Sequence, residues 1–174
     1  MGPVTADEPA GATDPVSPAR FRDVLARFPS GVTIATTRDS AGVPQGLTVS
    51  AFCSVSLHPP LVAVCVARSA SCHPAFASGE RFAVSVLARD QLDLALAFAR
   101  TGTDKFAHGG LRGGTDGIDV VDGALAVLGC AVHSRHEAGD HTIVVGEVHQ
   151  VEYGKGEPLV VFDRSFHRLA GVAR

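Results

Sequence analysis

The side chains able to do chemistry in this sequence fall into four groups. The first is "LTVSAFCSVSLHPPLVAVCVARSASCHP", in which Thr48, Ser50, Ser54 and Ser56 place small hydroxyls on one face of an alternating run that ends near Arg68, Ser69 and Ser71. Small hydroxyl residues suit a surface that a ligand approaches closely, and a solvated sheet face has the same composition. With Ser71 as the N-cap of a following helix, the first backbone N–H groups of that helix have no intrahelical partner and favour an anion such as phosphate. Arg68 adds a charge that can fork onto phosphate oxygens. The plainer alternative is that the serines only cap a helix and Arg68 is solvated.

The second group is "TDKFAHGG", where Lys105 offers a charge and Phe106 an apolar wall, or both belong to a solvated loop. The third holds His133, His136 and His141 with Cys130 and Asp140 nearby. On a strand, residues 133 and 136 point to opposite faces, and neither a C-x-x-C nor an H-E-x-x-H spacing supports a zinc site. His141 alone is either a functional group or the polar residue that follows a Gly-Asp turn. The fourth, "FDRSFHRL", mixes Phe162 and Phe166 with Arg164, His167 and Arg168. Such a mixture can stack on a heterocycle and hold an anion, or serve as a tail docked on the core.

The elements that must position these groups read mostly as strands. Ser17 followed by Pro18 opens a helix with Phe21, Val24, Leu25 and Phe28 on one face, and "FPSG" ends it. Strands follow at 31–37, at 47–57 as one alternating run, at 61–67 as a run apolar on both faces, and at 81–87. Asp90 and Asp93 open a second amphipathic helix through Leu92, Leu96 and Ala99. The Gly-rich stretch after Arg100 is an aperiodic loop of the kind that covers a site or moves. Three strands close the chain, the first two joined by a short Ala-Gly-Asp turn. Strands joined mainly by hairpins imply a mainly β fold with flanking helices, an antiparallel barrel in class.

Composition narrows the function. The 174 residues suffice for one domain, expected over 18–174 behind a disordered tail at 1–17. Hydrophobic residues make up 45% and aromatics 6%, so the core is built from Val, Leu and Ala. A net charge of -3 argues against nucleic-acid binding by phosphate neutralisation. The first residues lack the basic and apolar regions of a signal peptide, and no apolar run is long enough to span a bilayer. A cytoplasmic protein with reduced, mostly buried thiols is expected, since the four cysteines show no paired spacing.

Taken in order, "FRDVLARFPSGVTIATT", "GLTVSAFCSVSLHPPLVAVCV", "RSASCHP", "FAVSVL", "DKF", "GDHTIVVGEV" and "FDRSFHRL" resemble the flavin reductase family, the short-chain reductase components of two-component flavin-dependent monooxygenases. The resemblance covers roughly residues 18–170. It implies an FMN-binding-type split β-barrel, usually a homodimer, that reduces FAD or FMN with NADH or NADPH and supplies the reduced flavin to a partner monooxygenase. It implies that Thr48, Val49, Ser50, Ala51 and Ser54 lie along the flavin. It likewise implies that Cys65, Val66, Ala67, Arg68, Ser69, Ser71 and Cys72 border the isoalloxazine and ribityl chain and receive the phosphate, and that Lys105 and Phe106 add contacts to phosphate or ring edge. His141 matches the histidine near the nicotinamide and is the catalytic candidate. Phe166, His167, Arg168 and Leu169 match the stretch that lines that pocket, although Ser165 and Phe166 stand where many relatives carry Gly and Tyr. The alternatives are a split-barrel flavoprotein that retains its flavin for another reduction, a non-catalytic flavin- or haem-binding module with His141 as ligand, and a metal-dependent enzyme.

Overall fold

The structure is a computed structural model, and it describes residues 15–167 and 169. Residues 1–14 of the expected tail, and Arg168, lie outside the described residues.

Helix α1 spans Pro18–Leu25, with Ser17 Oγ accepting the Arg20 N–H at 3.3 Å. Twelve strands and two further helices follow. They are β1 (Ser30–Gly31), β2 (Thr33–Arg38), β3 (Pro44–Val49), β4 (Phe52–Ser56), β5 (Leu61–Ala67), α2 (His73–Ser78), β6 (Arg81–Val86) and α3 (Leu92–Ala99). The rest are β7 (Leu111–Gly113), β8 (Asp119–Val121), β9 (Ala126–Ala138), β10 (His141–Tyr153), β11 (Val160–Phe162) and β12 (Ser165–His167).

Seven strands form one antiparallel sheet in the order β3-β2-β6-β9-β10-β5-β4. Its edge strands β3 and β4 are neighbours in sequence, separated only by Ser50 and Ala51. A link that short holds the two edges close where it joins them. The Cys65 N–H donating to Ala51 O at 3.1 Å extends the β4–β5 ladder by one residue, and β3 and β4 do not pair with each other, so the barrel is split rather than closed.

The expected single strand at 47–57 is therefore two strands on opposite edges. The break also changes the phase of the alternation. Val49 is buried and Phe52 packs on the interior, whereas Cys53, Val55 and Leu57, expected on the same face as Val49, are exposed. Alternation alone cannot detect a break when small residues occupy both phases.

The barrel interior is filled by Ala35, Val49, Val62, Val64, Val66, Phe82, Val84, Cys130 and Val144, with Phe76 of α2 packed among them. Gly146 of β10 lies against this core so closely that a Cβ there would sit 2.4 Å from the Phe82 ring. A second cluster covers the outside of β2, β6 and β9 with Leu94, Ala95 and Phe98 of α3 and with Ile118, Val120 and Val121. The expected apolar face of that helix is thus corrected. Leu96 and Ala99 are exposed and Leu92 is only partly buried, because the sheet meets the helix along Leu94, Ala95 and Phe98. The Gly-rich stretch is also more than a loop, since β7 and β8 pair and Thr36 Oγ1 donates to Asp119 O at 2.6 Å.

Helix α1 begins where expected but ends at Leu25, before Phe28, and none of its residues is buried. Phe21, Val24, Leu25 and Phe28 are 54–76% exposed. Polar contacts attach it to the β11–β12 turn: Asp163 N–H donates to Ala26 O at 2.8 Å, Arg27 pairs with Asp163 at 3.2 Å, and Arg164 pairs with Asp23.

Candidate active site at the barrel seam

The structure brings three of the candidate segments together. In the β5–β10 ladder Ala67 faces His141. Arg68 N–H donates to Asp140 O at 2.9 Å, which makes Ala67 and His141 a non-hydrogen-bonded pair with neighbouring side chains. It also turns the Ala67 N–H and C=O away from β10, toward the seam. The carbonyl accepts the Ala70 N–H at 3.0 Å. The N–H faces the open side, because β4 pairs with β5 only from Phe52↔Val64 to Ser56↔Leu61. Ser50, Ala51, Arg68 and Ser69 are exposed around this gap.

These features fit a flavin. A flat heterocycle needs an edge with backbone donors and little side-chain bulk, and the seam supplies the small residues Ser50, Ala51, Cys65 and Ala67 with an outward N–H. Several implied contacts can come only from main chain: the Val49, Val66 and Cys72 side chains are buried in the core, and Thr48 Oγ1 donates to Ala95 O at 2.6 Å. Ser54 is exposed on β4 and Cys65 is half-buried. The Cys65 thiol is pushed up by burial and by the nearby Cys53, so it stays protonated at neutral pH.

His141 opens β10 directly after the Gly139-Asp140 turn, where Gly139 has φ +63°. Its Nδ1 lies 2.7 Å from Asp140 Oδ1, and this hydrogen bond holds the Asp140 carboxyl below the usual carboxylate range. A carboxylate on Nδ1 selects the tautomer with the proton there and leaves Nε2 as the acceptor. The sequence shows Asp140 only as a turn residue, so its partnership with His141 is legible only in three dimensions. His136 lies 2.9 Å from Ser134 Oγ, and among the described residues no group of three His, Cys, Asp or Glu side chains is close enough to share a metal.

Ser71 and Lys105–Phe106, far apart in sequence, share a cleft of about 170 Å³ with Gln45 and Gly46. Ser71 is not the helix cap that its sequence position implied. The N-cap of α2 is Cys72, with no side-chain cap bond, and Ser71 is exposed one residue earlier. Lys105 Nζ donates to Gly46 O at 3.0 Å and Phe98 O at 2.9 Å, which leaves one of its three N–H groups. Burial pulls its pKa down from the ordinary lysine value, against an opposing influence of Cys72. Phe106 stacks edge-on against Phe98 with centroids 5.2 Å apart. Asp104 in the same cleft accepts the Phe106 and Ala107 N–H groups, each at 3.2 Å.

The C-terminal segment does not join His141 through the sheet. Phe166 and His167 belong to β12, which pairs with β11 in a separate three-stranded sheet with β1. Phe166 and Leu169 are exposed, and His167 Nε2 donates to Phe162 O at 3.1 Å. This sheet meets the seam instead at a cleft shared by Ser50, Phe162 and Arg164.

Residues 25–170 match the family described as the flavin reductase like domain. The chain belongs to that family. Among relatives of this flavin reductase family chain, an actinorhodin polyketide dimerase of Streptomyces coelicolor is 50% identical over 154 residues, 88% of this chain and 87% of that protein. The solved NADH:FAD oxidoreductase SgcE6 of Streptomyces globisporus, in complex with NAD and FAD fragments, is 38% identical with a TM-score of 0.87, covering 95% of this chain and 100% of that one. Nitrilotriacetate monooxygenase component B from Mycobacterium thermoresistibile is 34% identical with a TM-score of 0.82, covering 87% and 86%. The seven-stranded sheet, unclosed between its edge strands β3 and β4, is of the split-barrel type.

Proposed function

We propose that this chain is an NADH-dependent flavin reductase that takes up oxidised FAD or FMN, reduces it and releases it to a partner flavin-dependent monooxygenase. The observation that carries this reading is the His141–Ala67 pairing beside the seam. It sets one polar, partly exposed side chain next to a strip of small residues with an outward backbone N–H. Family membership supplies the chemistry, and a similar protein solved with NAD and FAD fragments supplies both ligand classes.

Hydride transfer from nicotinamide C4 to flavin N5 is supplied by the bound partners themselves, so the protein contributes alignment and exclusion of water. Ser50, Ala51, Ser54 and the backbone of Cys65–Ala67 hold the flavin ring. Ser69, Ser71, Arg68 and the remaining N–H of Lys105 serve the phosphate end. Arg68 is suited to this because its present partner, Glu137, is 3.9 Å away and 81% exposed, a weak competitor. His141, steadied by Asp140, positions the nicotinamide, with Phe166 to Leu169 as the further lining.

The working form is a homodimer. The uncovered apolar face of α1 and the exposed Val55 and Leu57 at the β4 edge are surfaces that a second copy would bury. A cytoplasmic location fits four cysteines without disulfides, and among the described residues no helix is long and apolar enough to cross a membrane. The polyketide dimerase name of the 50%-identical relative favours a second reading, in which the flavin stays bound and the hydride goes to another acceptor.

The test mixes protein, FAD or FMN, and NADH, and follows nicotinamide absorbance. Turnover of many equivalents of free flavin supports the reductase. Oxidation that stops after one equivalent of protein, with flavin co-eluting on gel filtration, supports the second reading; no flavin-dependent oxidation rejects both.

A further inference from the structure

The loop from Arg68 to Cys72, which carries Ser69 and Ser71, is tied to β10 at both of its ends. At the first, Arg68 N–H donates to Asp140 O at 2.9 Å. At the second, His73 Nε2 lies 2.9 Å from Thr142 Oγ1. The two ties fall on the residues immediately before and after His141. Between them, Ala67 O accepts the Ala70 N–H at 3.0 Å and Ala70 O accepts the His73 N–H at 2.9 Å, so the loop has little freedom to shift without dragging residues 140–142 with it.

Side chains alternate along a strand, so Thr142 and His141 turn to opposite faces of β10. Thr142 stands opposite Val66 in the ladder and is 7% exposed. A hydroxyl buried to that degree needs a partner, and His73 supplies it. Because a hydroxyl both donates and accepts, the contact forms with either neutral tautomer of the ring.

Helix α2 does not need this bond to stay seated. Ala75 and Phe76 are buried in the core, and Arg135 Nε donates to Phe76 O at 2.9 Å. The start of the helix is less well held, since Cys72 as N-cap makes no side-chain cap bond and Pro74 in the first turn has no N–H. What the His73–Thr142 bond adds is the placement of the helix start and of the loop before it.

We propose that His73, acting through Thr142, is a positioning residue of the reductase: it fixes the spacing between the loop that holds the flavin phosphate and the strand start that carries His141. This rests on the seam as the flavin site and on His141 as the nicotinamide contact.

The test compares Thr142→Val, which keeps the side chain's shape without the hydroxyl, with Thr142→Ser, which keeps the hydroxyl, with His73→Phe, and with the double variant His73→Phe/Thr142→Val. NADH oxidation by the full chain is followed with FMN and with riboflavin, which lacks the phosphate. Thr142→Val and His73→Phe are each expected to raise the apparent KM for FMN and for NADH about 5-fold, the worth of one hydrogen bond, and to leave that for riboflavin within about 2-fold of wild type. Thr142→Ser is expected to keep the wild-type values, and the double variant to be no worse than either single one, because both remove the same contact. A lower melting temperature with unchanged KM values would reduce the bond to a structural one and overturn the proposal. So would a rise in the KM for FMN or NADH without the other, a KM for riboflavin that rises with that for FMN, a Thr142→Ser variant as impaired as Thr142→Val, or single effects that multiply in the double variant. A wild type that oxidises no NADH with either flavin rejects the reductase and this role with it, whereas wild-type turnover with unaffected variants rejects His73 alone.

Discussion

His141 and Ala67 face each other where β10 begins and β5 ends, and the hydrogen bond from Arg68 N–H to Asp140 O locks the two chain ends together. The histidine therefore sits on a braced corner of the barrel. Replacing it with alanine removes a positioning contact without disturbing the core. The apparent KM for NADH should rise by about 10-fold, the worth of one good hydrogen bond, with a much smaller change for flavin. Equal effects on both substrates, or none, would return His141 to the turn.

Asp140 adds a pH signature. Its folded carboxyl lies below the ordinary value because His141 bonds the charged form. A depressed carboxylate contributes above its unfolded pKa of about 3.9 and loses that contribution as pH falls through the depressed folded value. Asp140→Asn should thus leave stability unchanged at acid pH below that window. Above it, the variant should weaken NADH binding in the same direction as His141→Ala but less, read as a ratio of KM values at pH 7.

The cysteines should separate by burial. Cys53 is exposed and should react first with a thiol reagent, whereas Cys72 and Cys130 should stay protected until the protein unfolds. Burial pushes the Cys130 thiol up to about 12. The unfolded thiol ionises near pH 9, so this contribution is complete below that pH and is lost as pH rises toward 12. Denaturation midpoints should fall across that range at a rate approaching 1.4 kcal/mol per pH unit from this group, and Cys130→Ala should flatten the slope.

Lys105→Met should destabilise the protein even without ligand, since Gly46 O and Phe98 O both lose their donor. An unsatisfied carbonyl costs about 1–3 kcal/mol, visible as a lower melting temperature. If the remaining N–H also holds phosphate, the KM for FMN rises while that for riboflavin does not.

Gly146→Ala tests the tightest approach in the barrel. The added methyl would meet the Phe82 ring at 2.4 Å and Cys130 Cβ at 2.9 Å. Overpacking of this kind costs about 1–3 kcal/mol, or a melting temperature lower by about 2–4 °C per kcal/mol for a chain of this size. An unchanged melting temperature would mean that Phe82 can retreat.

Much of this was legible from residue order. Ser17-Pro18 marked the start of α1, the Gly139-Asp140 turn marked the hairpin that presents His141, and the uninterrupted apolar run 61–67 marked a strand buried in the sheet. What escaped was whatever depends on a partner distant in sequence. The break at Ser50–Ala51 is silent because both residues are small and the alternation continues across it with the wrong phase. Lys105 reads as a loop charge until Gly46 and Phe98 are seen to claim it. The face of α3 turned by one position because the hydrophobic residues of "LDLALAFA" are too numerous for periodicity to choose among them.

The two residues of the seam also measure something. From Val49 to Phe52 the chain covers three peptide units, so the Cα atoms at the two sheet edges stand no more than about 11 Å apart. At that end the edges cannot part further unless β3 leaves β2 or β4 leaves β5. The far ends at Pro44 and Ser56 carry no such tether, so the chain itself holds one end of the seam narrow and leaves the other free to splay.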